Sequence, residues 1–274
     1  MWTAAITPSA PDLLVIGGTG FLGRHVITAA AGRVVATRHG SAPVGNGVEW
    51  HSLDLRDGGG TAAALIAELR PGAVINAAYV QHGPDVDAVT AASPGAMASA
   101  CRDVGARFVH LSTDVVFDGT TDRPYVERDP PSPVHDYGRA KVAAEQAVGR
   151  ADPGAVIVRT SLLYGDEADP GPQVEMTADP AITFYDDEYR NPLPVGVLAA
   201  ACLELTARPD ITGILHVAGS ETLSRLSFAR RVAPIIGIDP AALRGAPGPD
   251  RADRPRNCPL DTDLARALLA TQVP

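Results

Sequence analysis

Residues 13–23 read Leu-Leu-Val-Ile-Gly-Gly-Thr-Gly-Phe-Leu-Gly, a short apolar run followed by closely spaced glycines. The run is typical of a buried strand, and the residues from Phe21 to Ala31 are typical of a helix. Glycines at such a turn let the backbone approach a pyrophosphate, whose charge is favoured by the helix N-terminus. The segment predicts a dinucleotide-binding βα unit with contacts from Gly17, Thr19, Gly20, Phe21, Leu22 and Gly23.

Short β-branched runs alternate with Ala-rich helical stretches over the first 160 residues. The runs lie at 33–37, 73–76, 107–111 and 155–159, and the helical stretches at 61–69, 86–101 and 137–148. Strands joined by helices of this length form a parallel sheet that is covered on both faces. We therefore predict an α/β fold of the Rossmann type, with a doubly wound parallel sheet in residues 1–164. A Pro- and acid-rich stretch follows, which indicates a small C-terminal substrate-binding lobe over 165–274, with recrossing between the two parts allowed.

The composition is that of a globular protein that handles small molecules. Of the 274 residues, 45% are hydrophobic and 20% are charged, and the net charge is −9. No basic run is present that could neutralise a phosphate backbone, so we expect no nucleic-acid partner. Cys101, Cys202 and Cys258 are far apart in sequence, and no spaced pair of histidines occurs, so we expect neither disulfides nor a metal.

The expected location is the cytoplasm. The longest mostly apolar stretch, residues 193–205, is shorter than the ~20 residues that span a bilayer. The sequence Met1-Trp2-Thr3 shows no basic region ahead of an apolar one, which argues against a signal peptide. We expect a reduced protein without a membrane partner, and the sequence leaves room for a homodimer.

The choice of dinucleotide is predicted from the end of the second strand. An NAD-binding chain commonly has an acidic residue there, whereas this sequence has Arg38. A guanidinium can pair with a ribose 2′-phosphate, which favours NADP(H) over NAD(H). Asp54 and Leu55 are candidates for the adenine edge, and Ala77 with Ala78 ends the fourth strand near the expected cofactor.

Tyr137 and Lys141 are the first candidates for catalysis. A spacing of four places both side chains on one face of the predicted helix. A free tyrosine has a pKa near ~10, and a neighbouring ammonium lowers the pKa of a phenol. Lys141 is the only lysine of the chain, whose other 22 basic residues are arginines, so a chance pairing is a poor explanation. We expect Lys141 to lower the pKa of Tyr137.

Thr113 is the third catalytic candidate. It belongs to the turn Ser112-Thr113-Asp114, which follows the predicted fifth strand. Hydroxyls at the carboxyl end of a parallel strand face the ligand side of such a sheet. We expect the Thr113 hydroxyl to polarise a substrate carbonyl alongside Tyr137.

With these motifs in this order, the chain resembles the extended short-chain dehydrogenase/reductases. The central segment is similar to the dTDP-4-dehydrorhamnose reductase branch, through Ser-Thr-Asp-Val-Val-Phe-Asp-Gly at 112–119 and Tyr-Gly-Arg-Ala-Lys at 137–141. Later segments agree with it at 159–165, 186–192 and 254–261. The resemblance implies NADPH-dependent reduction of a 4-keto group on a nucleotide-linked deoxysugar. Tyr137 would supply the proton, Lys141 would bind the nicotinamide ribose, and Asp114, Arg190 and Arg254 would contact the substrate.

Three positions depart from that branch. Val115 and Leu162 stand where it usually has a tyrosine and a tryptophan that line the sugar pocket, and Thr90 stands where such folds have a helical asparagine. The residues at these positions predict a sugar pocket that is smaller or more open. Two alternatives stay open: a non-catalytic NADP(H)-binding regulatory subunit, similar to that of methionine adenosyltransferase, and an epimerase or a reductase of a different keto substrate.

Overall fold

A seven-stranded parallel sheet forms the centre of the protein. The computed structural model describes residues 12–41, 47–249 and 253–274. The sheet order is β11-β6-β5-β4-β1-β2-β3, which is the order of a doubly wound fold with one strand added. Its strands are β1 (Leu13–Ile16), β2 (Val34–Arg38), β3 (Glu49–Ser52), β4 (Ala73–Asn76), β5 (Arg107–Thr113), β6 (Val156–Thr160) and β11 (Gly213–His216). The predicted Rossmann-type α/β fold is therefore confirmed.

Both faces of the sheet are apolar and are covered by helices, because consecutive residues of its central strands are apolar. Leu13 and Val15 pack in one core and Leu14 and Ile16 in the other. The first core is covered by α1 (Phe21–Ala29) and α6 (Val195–Thr206), and the second by α2 (Gly60–Leu69), α3 (Ser93–Val104) and α4 (Asp136–Ala151). Most of the apolar stretch 193–205 thus belongs to the helix α6, which is packed in the core. Within the described ranges, no helix is both long and apolar enough to cross a membrane.

The predicted helix over 86–101 is two helices of different kinds. Residues Val86–Ala92 form a π-helix, and the α-helical hydrogen bonding begins only with α3 at Ser93. Pro94 lies at the start of α3 and has no N–H to donate to the preceding turn. Thr90 is buried, and its hydroxyl donates to the Val80 carbonyl (2.7 Å) and accepts from the Val80 amide (2.8 Å). The sequence pattern could not reveal this wider turn, because the apolar spacing of the two helix types is similar over a single turn.

The smaller lobe is built from short elements that follow β6. It contains β7 (Leu163–Tyr164), α5 (Pro172–Glu175), β8 (Thr183–Tyr185), β9 (Tyr189–Arg190), β10 (Leu193–Pro194), β12 (Leu223–Ser224), α7 (Arg225–Val232) and β13 (Arg244–Ala246). Its core is a small cluster around Phe184, Leu226 and Leu243. The chain returns to the central sheet at β11, and α8 (Asp263–Leu268) packs beside that strand through Ala265. The division at residue 164 stays a prediction, since the sheet draws on residues from both sides of it.

Candidate active site

The glycine turn between β1 and α1 has the close packing that its sequence predicts. Gly17 has φ of 84°, and a Cβ added to it would lie 2.8 Å from the Ala78 amide nitrogen. A Cβ on Gly23 would overlap the Gly17 carbonyl oxygen. Helix α1 follows directly from Gly20, and its first amides have no intrahelical acceptor. The predicted residues Thr19, Phe21 and Leu22 therefore lie at a helix start whose shape and dipole fit a pyrophosphate.

A cavity of about 210 Å³ at the other side of this turn would hold the adenosine end of a dinucleotide. Its walls include the predicted Arg38, Asp54, Leu55 and Ala78. Arg38 donates to the Ser41 carbonyl oxygen at 3.2 Å and is partly exposed.

Arg56 also lines this cavity, and the sequence reading missed it. Its guanidinium binds the Asp54 carboxylate at 2.6 to 3.0 Å, which holds the pKa of Asp54 well below its usual value. The Asp54 carboxylate is therefore paired with the Arg56 guanidinium, and both Arg38 and Arg56 line the cavity. The predicted contact between Asp54 and adenine is tested by none of these distances and stays a prediction.

A larger cavity of about 520 Å³ brings two of the three catalytic candidates together, Thr113 and Tyr137. It is lined by the first turn of α1, by Ala77 after β4, by Thr113 at the end of β5 and by Tyr137 from α4. Thr113 caps the 3-10 turn Asp114–Val116, since its hydroxyl accepts from the Val115 amide at 3.3 Å. The same hydroxyl donates to Asp114 at 3.2 Å. One end of the cavity therefore contains a hydroxyl and a phenol next to the dinucleotide turn.

Helix α4 approaches β5 closely because Gly138 follows Tyr137. A Cβ on Gly138 would overlap the carbonyl oxygen of Val115. The helix begins with His135, whose Nδ1 accepts from the Gly138 amide at 2.9 Å. The missing side chain and the cap together fix Tyr137 in the first turn of α4 beside the end of β5.

Lys141 lies one turn further along α4, and its side chain is buried. Its Nζ donates to the carbonyl oxygen of Leu111 at 2.8 Å and lies 5.9 Å from the centre of the Tyr137 ring. Nζ is also 5.4 Å from the centre of the Tyr79 ring, which itself lies 5.7 Å from the Tyr137 ring. Tyr79 is half exposed and lines both cavities, and the sequence reading missed it. It follows Ala78, and no pattern in the sequence set it apart.

The protonation of this pair differs from the expectation. Burial raises the pKa of Tyr137 above its ordinary value, and the nearby Tyr79 and the negative charge of Asp114 act in the same direction. Burial also lowers the pKa of Lys141 to about 8, against the opposing effect of Glu145. In the protein alone, the low-dielectric surroundings outweigh the attraction of the ammonium for a phenolate. Tyr137 is therefore a neutral phenol in the protein alone.

Asp114 and Arg190, both predicted to contact substrate, are bound to each other in the cavity wall. The two side chains are buried, and Nε of Arg190 lies 3.5 Å from Oδ2 of Asp114. Ser161 donates to the same carboxylate at 2.6 Å. The remaining nitrogens of Arg190 donate to the carbonyl oxygens of Tyr189, Pro255 and Arg256 at 2.7 to 3.1 Å. Arg190 thus joins β9 to the segment around Pro255, and its role toward substrate stays a prediction.

Arg254 is also at the cavity and is also paired. Its guanidinium binds Glu188 at 2.6 and 3.1 Å and stacks over the Tyr185 ring at 4.7 Å from the ring centre. Glu188 and Arg225 line the same cavity and were missed by the sequence reading. Their positions arise from short β9 and α7, which carry too few residues for a periodic signal.

The three departures from the family pattern are all visible in the structure. Val115 and Leu162 line the cavity with small apolar surfaces, and the Thr90 hydroxyl is taken up by Val80. A wider groove of about 1040 Å³ shares Val115, Tyr137 and Arg190 with the cavity, so the site is open on that side. Among the described residues, no three His, Cys, Asp or Glu side chains gather into a metal site.

The chain is similar to known proteins in sequence and in fold. The family model described as the RmlD substrate binding domain matches residues 11–274. The chain belongs to this family. Among its curated relatives, the probable low-salt glycan biosynthesis reductase Agl14 of Haloferax volcanii is 31% identical over 95% of this chain and 93% of its own. The dTDP-4-keto-6-deoxy-D-glucose reductase of Streptomyces niveus is 33% identical over 95% and 92%.

The fold of this RmlD-family chain also matches solved structures. A hypothetical dTDP-4-dehydrorhamnose reductase from Sulfolobus tokodaii superposes with a TM-score of 0.80, at 27% identity over 96% of both chains. The match covers the smaller lobe as well as the sheet. The resemblance inferred from the sequence is therefore confirmed along nearly the whole chain.

Proposed function

We propose that this protein is an NADPH-dependent reductase of a 4-keto group on a nucleotide-linked deoxysugar. The observation that carries the proposal is the cavity in which Thr113 and Tyr137 face the dinucleotide turn, with Lys141 buried behind them. The curated names of relatives that align over nearly the whole chain support the same chemistry.

The residues present fit NADP(H). The turn at Gly17 and Gly23 has no room for a Cβ, as expected where a backbone must approach a pyrophosphate. Arg38 lines the neighbouring cavity, which supports its predicted contact with the 2′-phosphate. When bound, the reduced nicotinamide supplies the hydride for the carbonyl carbon. Lys141, whose Nζ already donates to Leu111, would use its remaining hydrogens to hold the nicotinamide ribose.

Tyr137 supplies the proton of this reduction. Its pKa is raised, so the hydroxyl is fully protonated at neutral pH and can donate to the carbonyl oxygen as that oxygen gains negative charge. Thr113 would donate a second hydrogen bond to the same oxygen, because its hydroxyl proton now makes only a long bond of 3.2 Å to Asp114. The product is an alcohol, and Tyr137 regains its proton from solvent through the open side of the cavity.

A regulatory subunit would bind the same cofactor as the proposed reductase but would not turn over a substrate. The open wall at Val115 and Leu162 favours it, since aromatic surface that would hold a sugar is missing there. The engaged Thr90 hydroxyl favours it as well, since Thr90 stands in place of the asparagine that usually holds a proton-relay water. The presence of Thr113, Tyr137 and Lys141 at one site favours the enzyme, because binding alone does not need a proton donor. An epimerase or a reductase of another ketone would use the same three residues on a different substrate.

The finer assignments belong to the same proposal. We place the protein in the cytoplasm on the composition of its sequence, which also leaves room for a homodimer. Gel filtration with light scattering tests the homodimer directly.

The deciding experiment is a titration with NADPH, followed by a panel of nucleotide 4-keto sugars, with NADPH absorbance as the readout. Tyr137→Phe should bind NADPH normally and lose about 10²- to 10⁴-fold in kcat. Tyr189→Phe is the matched control, because Tyr189 is exposed and lies outside the cavity. Binding of NADPH without oxidation by any panel member would favour the regulatory alternative, and no binding of NADPH would overturn the cofactor assignment.

A further inference from the structure

Arg225 differs from the other arginines of the 520 Å³ cavity in having no partner. It is the first residue of α7, after the cap Ser224, and its side chain lines the cavity. Its backbone amide donates to the Glu188 carbonyl oxygen at 2.8 Å. In the described parts of the chain, its guanidinium makes neither a hydrogen bond within 3.5 Å nor an ion pair within 4.0 Å. The guanidinium therefore has N–H donors that no acceptor of the described residues satisfies.

The charges of the cavity wall do not balance around Arg225. Asp114 is bound to Arg190, and Glu188 is bound to Arg254 by two hydrogen bonds. The third guanidinium, that of Arg225, has no carboxylate of its own among the described residues. The wall therefore carries an excess of one positive charge, and Arg225 is its source.

The surroundings of Arg225 make that charge costly in the protein alone. Burial lowers its pKa to about 10, and the positive charges of Arg190 and Arg254 act in the same direction against Glu188 and Asp114. The Arg225 side chain is partly exposed, and a partly desolvated charge without a partner gains a favourable interaction when an anion binds beside it. An arginine also presents a planar fork that suits two oxygens of one phosphate.

We propose that Arg225 binds the diphosphate of the nucleotide-sugar substrate. The inference rests on the proposed function, because it takes the substrate to be a nucleoside diphosphate sugar. Arg190 and Arg254 then act as positioning residues that shape the wall, since their guanidinium groups are held by Asp114 and Glu188. This assigns the predicted anion contact to a residue that the sequence did not single out.

The test measures binding of dTDP to the complex of the protein with NADPH by titration calorimetry. Arg225→Gln should weaken dTDP binding about 10- to 100-fold, the range that corresponds to a charge-assisted hydrogen bond. The Kd for NADPH should not change. Arg230→Gln is the matched control, because Arg230 lies exposed on the same helix and its substitution removes the same charge. Thymidine, which lacks phosphates, should bind both variants equally.

Each of the other outcomes contradicts either the role of Arg225 or the proposed function. Equal dTDP affinity in Arg225→Gln and the unchanged protein would show that Arg225 does not bind the diphosphate, even if the KM for a keto sugar rises. Equal loss in Arg230→Gln would show a diffuse charge effect and would also remove the assignment. If neither dTDP nor UDP binds the unchanged protein, the nucleotide-sugar assignment fails together with Arg225. Tight binding of dTDP without turnover would contradict only the proposed reductase activity and would support the role of Arg225.

Discussion

Glu145 of α4 and Arg159 of β6 form a buried ion pair. Nε of Arg159 donates to Oε1 of Glu145 at 2.9 Å, and Nη2 donates to Oε2 at 2.7 Å. Ser112, which precedes Thr113, donates to Oε1 of the same carboxylate at 2.5 Å. Because Glu145 lies four residues after Lys141 on α4, the pair fixes this helix against β5 and β6 at the level of the active site.

Breaking this pair should cost more than removing both partners. Arg159→Met leaves the Glu145 carboxylate buried without its partner, so we expect the free energy of unfolding to fall by about 3 to 5 kcal/mol. The double variant with Glu145→Leu should lose less than the single one. Arg139→Ala, which removes an exposed pair with Asp136, should change stability by less than about 0.5 kcal/mol. Urea unfolding measures all three, and a loss below 1 kcal/mol in Arg159→Met would contradict the role of the pair.

The pH dependence of turnover should follow Lys141. Its pKa is lowered to about 8 by burial, so the ammonium loses its proton as the pH rises through that value, and kcat/KM should fall above it. Tyr137 adds no such loss in the same range, because its own pKa is raised. Lys141→Arg keeps its charge and should show a lower but flat profile between pH 7 and 9.5. A fall near pH 8 that persists in Lys141→Arg would assign it to another group.

Lys141 should also make the free energy of unfolding depend on pH, in the direction opposite to that of kcat/KM. At Lys141 the folded state binds fewer protons than the unfolded state between pH 8 and the ordinary lysine pKa of 10.5, so the contribution of Lys141 to stability rises with pH in that window. The gain is up to about 3 kcal/mol for a shift of this size. Lys141→Met should lack it, and urea unfolding at pH 7 and 10 compares the two proteins. Parallel curves for both would show that Lys141 is not the buried charge responsible.

Arg38 should set the preference between the two nicotinamide dinucleotides. Replacing it with Gln removes a charge-assisted contact to the 2′-phosphate, so the Kd for NADPH should rise about 10- to 100-fold. The Kd for NADH, which has no 2′-phosphate, serves as the internal control and should stay within a factor of two. Arg56→Gln tests the second arginine on the same rim in the same way. Equal losses for both dinucleotides would remove the assignment.

Two glycines of α4 offer a matched test of how the catalytic helix is positioned. A Cβ on Gly138 would overlap the Val115 carbonyl oxygen, whereas a Cβ on Gly149 would meet no atom within 4 Å. Gly149→Ala should therefore raise the free energy of unfolding by about 0.5 to 1 kcal/mol, as expected for a helix interior. Gly138→Ala should lower it and reduce kcat, because Tyr137 moves away from Thr113. An active and stable Gly138→Ala variant would show that this contact does not position the site.

The sequence predicted those parts of the site that depend on local spacing. The glycine turn and the pair Tyr137 and Lys141 are set by short periodic patterns, and the structure shows a closely packed turn and two side chains one turn apart on α4. Tyr79, Arg56 and Arg225 were missed because each reaches its cavity only through tertiary folding. The raised pKa of Tyr137 was missed for a related reason, since it depends on burial and on Asp114. Spacing within one helix cannot reveal either.

The return of the chain to the central sheet has a consequence for how the protein is made. Strand β11 pairs with β6, and Ala265 in α8 and Leu269 after it belong to the same core as β1. This core cannot close until residues near 270 have left the ribosome, so folding requires contacts between distant parts of the chain and should be slow for a protein of this size. A fragment that ends at residue 164 would leave the edge of β6 unpaired and should aggregate.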